Sequence, residues 1–177
     1  MSARALGVCC GIVVGLIFVV LILKLTKTDG SLKCKYDERQ MAIRGRGYMY
    51  GFFTFMAGNA VYILADIGGV EFPCELSVGL MVVLLLAIFV MATYCIWNEA
   101  YFSLNENRKR LMIAFGIIAC VNIALGVMYL AGDEMIVQGK LTFRVINLFC
   151  GIMMLLLIFV LAAKDWATAK GQEEFEE

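Results

Sequence analysis

The stretch LSVGLMVVLLLAIFVMATYCIW, residues 76–97, runs without a single charge or proline. A helix rises about 1.5 Å per residue, so this segment reaches about 33 Å, enough to cross a hydrocarbon core of about 30 Å. It lacks period-two alternation and is too long for the core strand of a soluble fold. Moving outward, four more segments read the same way: Ala5–Leu23, Tyr48–Gly69, Leu111–Ala131 and Leu141–Ala163. Composition agrees, because 62% of the 177 residues are hydrophobic and only 17% are charged. Soluble domains stand nearer 45–50% and 25%. Disordered, collagen-like and small secreted disulfide classes are thereby excluded. The expected fold is all-α: a polytopic membrane helical bundle of five transmembrane helices.

The distribution of Lys and Arg sets the expected orientation. Seven lie in residues 24–47, three at Arg108, Lys109 and Arg110, and two at Lys164 and Lys170. The opposite side holds only Arg4, Lys140 and Arg144. Twelve against three predicts an N-terminus outside and a cytoplasmic C-terminus. The dense positive charge after the first helix argues against export of that loop, so Ala5–Leu23 reads as a retained anchor rather than a cleaved signal peptide. The expected units are an anchor helix (1–23), a basic juxtamembrane segment (24–47), a helical hairpin (48–97), a cytoplasmic turn (98–110), a second hairpin (111–163) and an acidic tail (164–177). Residues 36–44 look helical and able to run on into the second span. LLLAIFVMA (84–92) and LLLIFVLA (155–162) hint at a parallel duplication of the hairpins. Ser103-Leu-Asn-Glu106 has capping-box spacing and places the start of the fourth helix there. The tail Gln172–Glu177 is expected to be disordered.

Few residues offer chemistry. There is no histidine, and the seven cysteines form no CxxC pair, so they read as small intramembrane hydrophobes, with no metal or cofactor expected. Catalytic motifs are missing, and the expectation is a protein that is not an enzyme. Zero net charge gives no footprint for nucleic acid. Gly7, Gly11 and Gly15 recur every fourth residue, a helix-packing face that suits the protein's own helices or a homodimer. Asn59 and Asn122 each fall eleven residues into an outward-running span, at one depth near mid-membrane. They suit a bridge between the second and fourth helices, or a polar cavity. Asp66 is two turns beyond Asn59, and Arg144 and Asn147 enter the fifth span at a similar depth. An Asp66–Arg144 pair at a binding or proton-linked site is one reading, and snorkelling to the nearby water is the other. Lys33, Lys35, Arg39, Arg44, Arg46, Arg108, Lys109 and Arg110 form a candidate surface for anionic lipid head groups or a protein partner.

The motifs YDERQMAIRGRGYMYGFFTF (36–55) and CIWNEAYFSLNENRKR (95–110) resemble a family of small uncharacterised membrane proteins of Gram-positive anaerobic bacteria. The resemblance implies a multi-helix body in a bacterial inner (plasma) membrane and carries no activity or site residue. The leading functional expectation is a non-enzymatic accessory protein that engages a partner or anionic lipid through its cytoplasmic loops. The alternative is a small permease with a midplane polar site.

Overall fold

The computed structural model describes residues 3–176. Five helices carry the chain: α1 (Ala3–Thr26), α2 (Glu38–Ile67), α3 (Leu76–Trp97), α4 (Arg108–Ala131) and α5 (Ile146–Glu176). All five are long and apolar enough to cross a membrane. A hairpin of β1 (Ile136–Val137) and β2 (Lys140–Leu141) and a 3-10 turn (Phe143–Val145) join α4 to α5. The packing order is α2–α3–α5–α4, with α1 resting beside α4. The two apolar segments suspected of duplication thus lie on the central helices, where Ala92 and Ile96 of α3 pack against Leu157 and Leu161 of α5.

Glycines let the outer helices approach the central ones. A Cβ on Gly51 would stand 3.1 Å from both the Ala87 carbonyl oxygen and Met91 Cβ. One on Gly151 would meet the Ile123 amide nitrogen at 3.1 Å and the Ala119 oxygen at 3.2 Å. The Gly7, Gly11 and Gly15 face differs: nothing lies within 4 Å of where their Cβ atoms would be. The expected packing of that face on the protein's own helices is therefore corrected. Among the described residues α1 meets the bundle through its last turns, where Thr26 and, one residue past the helix, Lys27 are buried.

Two helix starts follow from capping chemistry. Asp37 caps α2, its carboxylate accepting from the Gln40 amide at 2.6 Å while the Gln40 side chain accepts from the Asp37 amide. Helix α2 then runs unbroken into its apolar stretch. Asn107 caps α4 by accepting from the Arg110 amide at 3.1 Å, so this helix starts five residues after Ser103. Only half of the Ser103–Glu106 box forms, on a separate turn: the Ser103 amide donates to Glu106 Oε2 at 3.1 Å, while the Glu106 amide donates to the Ser103 carbonyl oxygen at 3.0 Å rather than to its hydroxyl.

Two further expectations change. The fifth helix starts at Ile146 rather than Leu141, because Gln138 (φ 52°) and Gly139 (φ 77°) turn the chain into a hairpin. Leu141 then bonds the loop between α2 and α3, its amide donating to the Pro73 oxygen at 2.8 Å. At its other end α5 continues as helix to Glu176, through the tail expected to be disordered.

Candidate functional site

The densest polar construction lies at one end of the bundle, where the chain between α1 and α2 meets the chain between α3 and α4. Lys27, one residue past α1, has a side chain with no solvent exposure. Its ammonium donates to Ser103 Oγ at 2.7 Å and to Cys34 Sγ at 3.0 Å, and pairs with Glu106 Oε1 at 3.4 Å. Burying an ammonium is expensive unless its protons and charge are met, and here both are. Asn105 ties the two loops together: its amide donates to Asp29 and to the Lys33 carbonyl, and its Oδ1 accepts from the Lys35 amide at 3.1 Å. The backbone closes the same seam, with Thr28 N to Asn105 O at 3.0 Å, Leu104 N to Lys35 O at 2.8 Å and Asn107 N to Thr26 O at 2.8 Å. Lys35 and the Ser31 amide bond the Asp29 carboxylate and hold its pKa down at about 2.

The first turns of α2 grip the other loop from the opposite side. Gln40 Nε2 donates to the Glu99 and Phe102 carbonyls, both at 3.2 Å. Arg44 Nη1 donates to the Ala100 and Tyr101 carbonyls at 3.2 and 3.3 Å, and Nη2 to Tyr48 Oη at 2.8 Å. The guanidinium also lies 4.2 Å from the centre of the Tyr36 ring, a cation–π distance. Between these groups is a cavity of about 260 Å³ that Arg44, Tyr36, Tyr48, Tyr101, Glu106, Cys34 and Cys95 line on the polar side. Leu23, Met91, Leu111 and Phe115 form its apolar wall. Burial pushes the Tyr101 phenol up to about 12, and raises that of Tyr36 too.

The residues singled out in the sequence are dispersed. Asn59 Nδ2 donates to the Phe55 carbonyl of its own helix at 2.7 Å, and Asn122 Nδ2 to Ile118 at 2.9 Å. The expected bridge between α2 and α4 is corrected: an amide four residues beyond a helical carbonyl finds a partner within its own turn. At the other end of the bundle Arg144 pairs with Glu134, in place of the expected Asp66, because the hairpin brings Glu134 alongside. Asp66 lines a separate cavity of about 400 Å³ with Tyr62, Glu71 and Lys140, and Asn147 is half-buried in the first turn of α5.

Of the basic surface set, Lys35 is paired with Asp29, Arg39 approaches Glu99 at 4.0 Å, and Arg108 is paired with Asp165 at 2.6 Å. Arg44 is turned inward. Arg110 donates to the Leu25 carbonyl at 3.3 Å, while Lys33, Arg46 and Lys109 remain exposed with no ion pair among the described residues. Lys27, Cys34, Cys95, Tyr101 and Asn105 are the residues that sequence reasoning missed as a cluster. The Ser103–Glu106 spacing lay in the same loop, and Lys33, Lys35 and Arg44 were named beside them, but as a basic surface rather than as part of a buried cluster.

Fold and site together define an all-helical protein with five helices fit to cross a membrane and a hydrogen-bonded polar cap at one end. Compared with family models, curated proteins and solved structures, the chain matches none.

Proposed function

We propose that this chain is a non-enzymatic, multi-pass accessory protein of a bacterial plasma membrane. In this reading the N-terminus is outside and the polar cap rests on the anionic head groups of the cytoplasmic leaflet. The observation that carries the reading is the exposed positive charge at this end that no ion pair among the described residues neutralises, at Lys24, Lys33, Arg46, Lys109 and Arg110. Each basic group near an anionic leaflet contributes about 1 kcal/mol of attraction. The cap is tied together by side-chain and backbone hydrogen bonds, so these charges are presented on a fixed frame. Support for a permease is weaker, since both midplane amides are bonded within their own helices.

The test is lipid selectivity. With the protein reconstituted in phosphatidylcholine, spin-labelled phosphatidylglycerol should associate in preference to spin-labelled phosphatidylcholine, and salt should weaken the preference. Replacing Lys33, Arg46 and Lys109 together by glutamine should move the ratio most of the way towards one, and adding Lys24→Gln and Arg110→Gln should bring it close to one. A wild-type protein with no preference would remove this reading, and specific capture of one protein by crosslinks at the same residues would replace it with a partner-docking role.

A further inference from the structure

The charges around the Arg44 cavity do not balance. Lys27 and Glu106 neutralise each other at 3.4 Å. Arg44 has no carboxylate partner among the described ion pairs, and its three hydrogen bonds go to two backbone carbonyls and a tyrosine hydroxyl, all neutral. A guanidinium carries five N–H donors, so Nε–H and one proton on Nη2 are left over. Tyr36 and Tyr101 face the same space and keep their protons well above the usual phenol range, so they offer O–H donors rather than competing negative charge. Across from these donors stand Leu23, Met91, Leu111 and Phe115. A half-buried cation with spare donors, facing an apolar wall, is complementary to one negative charge on an apolar body.

We propose that this cavity seats the acidic group of a singly charged amphiphile, with Arg44 as its counter-ion. A phosphodiester head of an anionic lipid and the carboxylate of a fatty acid share this chemistry. The volume of about 260 Å³ holds a head group and its first carbons, so the rest of the chain extends into the surrounding apolar phase. The site goes beyond the surface reading. Lys33, Arg46 and Lys109 do not line it, so the two stand or fall separately.

Cys34 lines the cavity and Cys74 belongs to the opposite end, which supplies an internal control. The full chain in an uncharged maltoside detergent is treated with a neutral maleimide while phosphatidylglycerol, palmitate or phosphatidylcholine is titrated in. Modification is read at each cysteine by mass spectrometry. At ten times the dissociation constant, the anionic amphiphile should slow modification of Cys34 by about ten-fold and leave Cys74 unchanged. Protection by phosphatidylglycerol alone assigns the phosphodiester, protection by palmitate alone assigns the carboxylate, and protection by both shows that charge is what the cavity reads. Arg44→Gln should abolish protection. Arg44 also steadies the loop, so Leu23→Trp, which narrows the cavity from the loosely braced α1, should block protection with Arg44 intact. No protection by either anion, equal protection by phosphatidylcholine, equal slowing at Cys74, or protection that survives both substitutions would overturn the site.

Discussion

A lysine with no exposed side-chain surface is tolerable only when its surroundings are built for it. Removing one partner of such a pair leaves the other buried and uncompensated, at a cost of about 3–5 kcal/mol. Lys27→Met should therefore destabilise strongly, because the Glu106 side chain is only 7% exposed. Glu106→Gln in that background should recover part of the loss. Denaturant unfolding in mixed micelles measures both, and a double-mutant cycle with no coupling would show that the pair is incidental. Tyr101 gives a pH signature. Its folded pKa is raised from 10.0 to about 12, chiefly by burial, so its contribution to stability is complete below pH 10 and is lost as the pH rises towards 12. The loss amounts to about 2–3 kcal/mol over that window. Tyr101→Phe should flatten this part of the stability profile, and an unchanged profile would assign the slope to other groups. For Asn59 and Asn122, separate intrahelical partners predict additive effects. The cycle Asn59→Leu with Asn122→Leu should give a coupling energy near zero, whereas a coupling of about 0.6–2 kcal/mol would restore the bridge.

Among the elements, the glycines separate tight packing from open surface. Gly151→Ala sets a new Cβ against the backbone of α4 at 3.1 and 3.2 Å, which two helices cannot both relieve without moving apart. Overpacking of this kind costs about 1–3 kcal/mol, readable as a lowered unfolding midpoint. Gly11→Ala meets nothing within 4 Å and should be neutral or stabilise α1 by up to about 1 kcal/mol. A loss of stability or of self-association in Gly11→Ala would place a second copy of the chain on that face. Uniform apolarity made the bodies of the helices legible in the sequence, since Leu76–Trp97 was expected and found with the same ends. The start of α4 and both ends of α5 were not legible. Ser103 Oγ and Glu106 Oε1 face Lys27 on a turn outside the helix, and Leu141–Val145 leads in sequence straight into the fifth apolar segment although a Gln-Gly turn has already folded its start into a hairpin. The site was harder still. Its members lie in two loops and in the helix ends beside them, joined only through space, and neither loop has a periodicity that points to the other.

At the scale of the molecule, the loops before α2 and α4 meet at one end, and the loop before α3 meets the hairpin before α5 at the other. Cys34 and Cys74 stand at opposite ends, both with intermediate exposure, and because the Cys34 sulfur is bonded by Lys27, labelling of each in permeabilised cells supplies the reference rate. In intact cells an impermeant thiol reagent should modify Cys74 and spare Cys34, as the distribution of Lys and Arg requires. The reverse pattern would invert the orientation proposed above.

The anchoring of α1 through Lys27 also imposes a schedule on biosynthesis. Ser103 lies 76 residues downstream of Lys27, so the partner that fixes α1 does not exist when α1 leaves the ribosome. At translation speeds of about 5–20 residues per second, the interval is roughly 4–15 s. Until then α1 lacks its packing against α4, and the Lys27 ammonium lacks both Ser103 and Glu106. Dehydration of Lys27 is then a late event, timed by the arrival of the third helix and the loop that follows it.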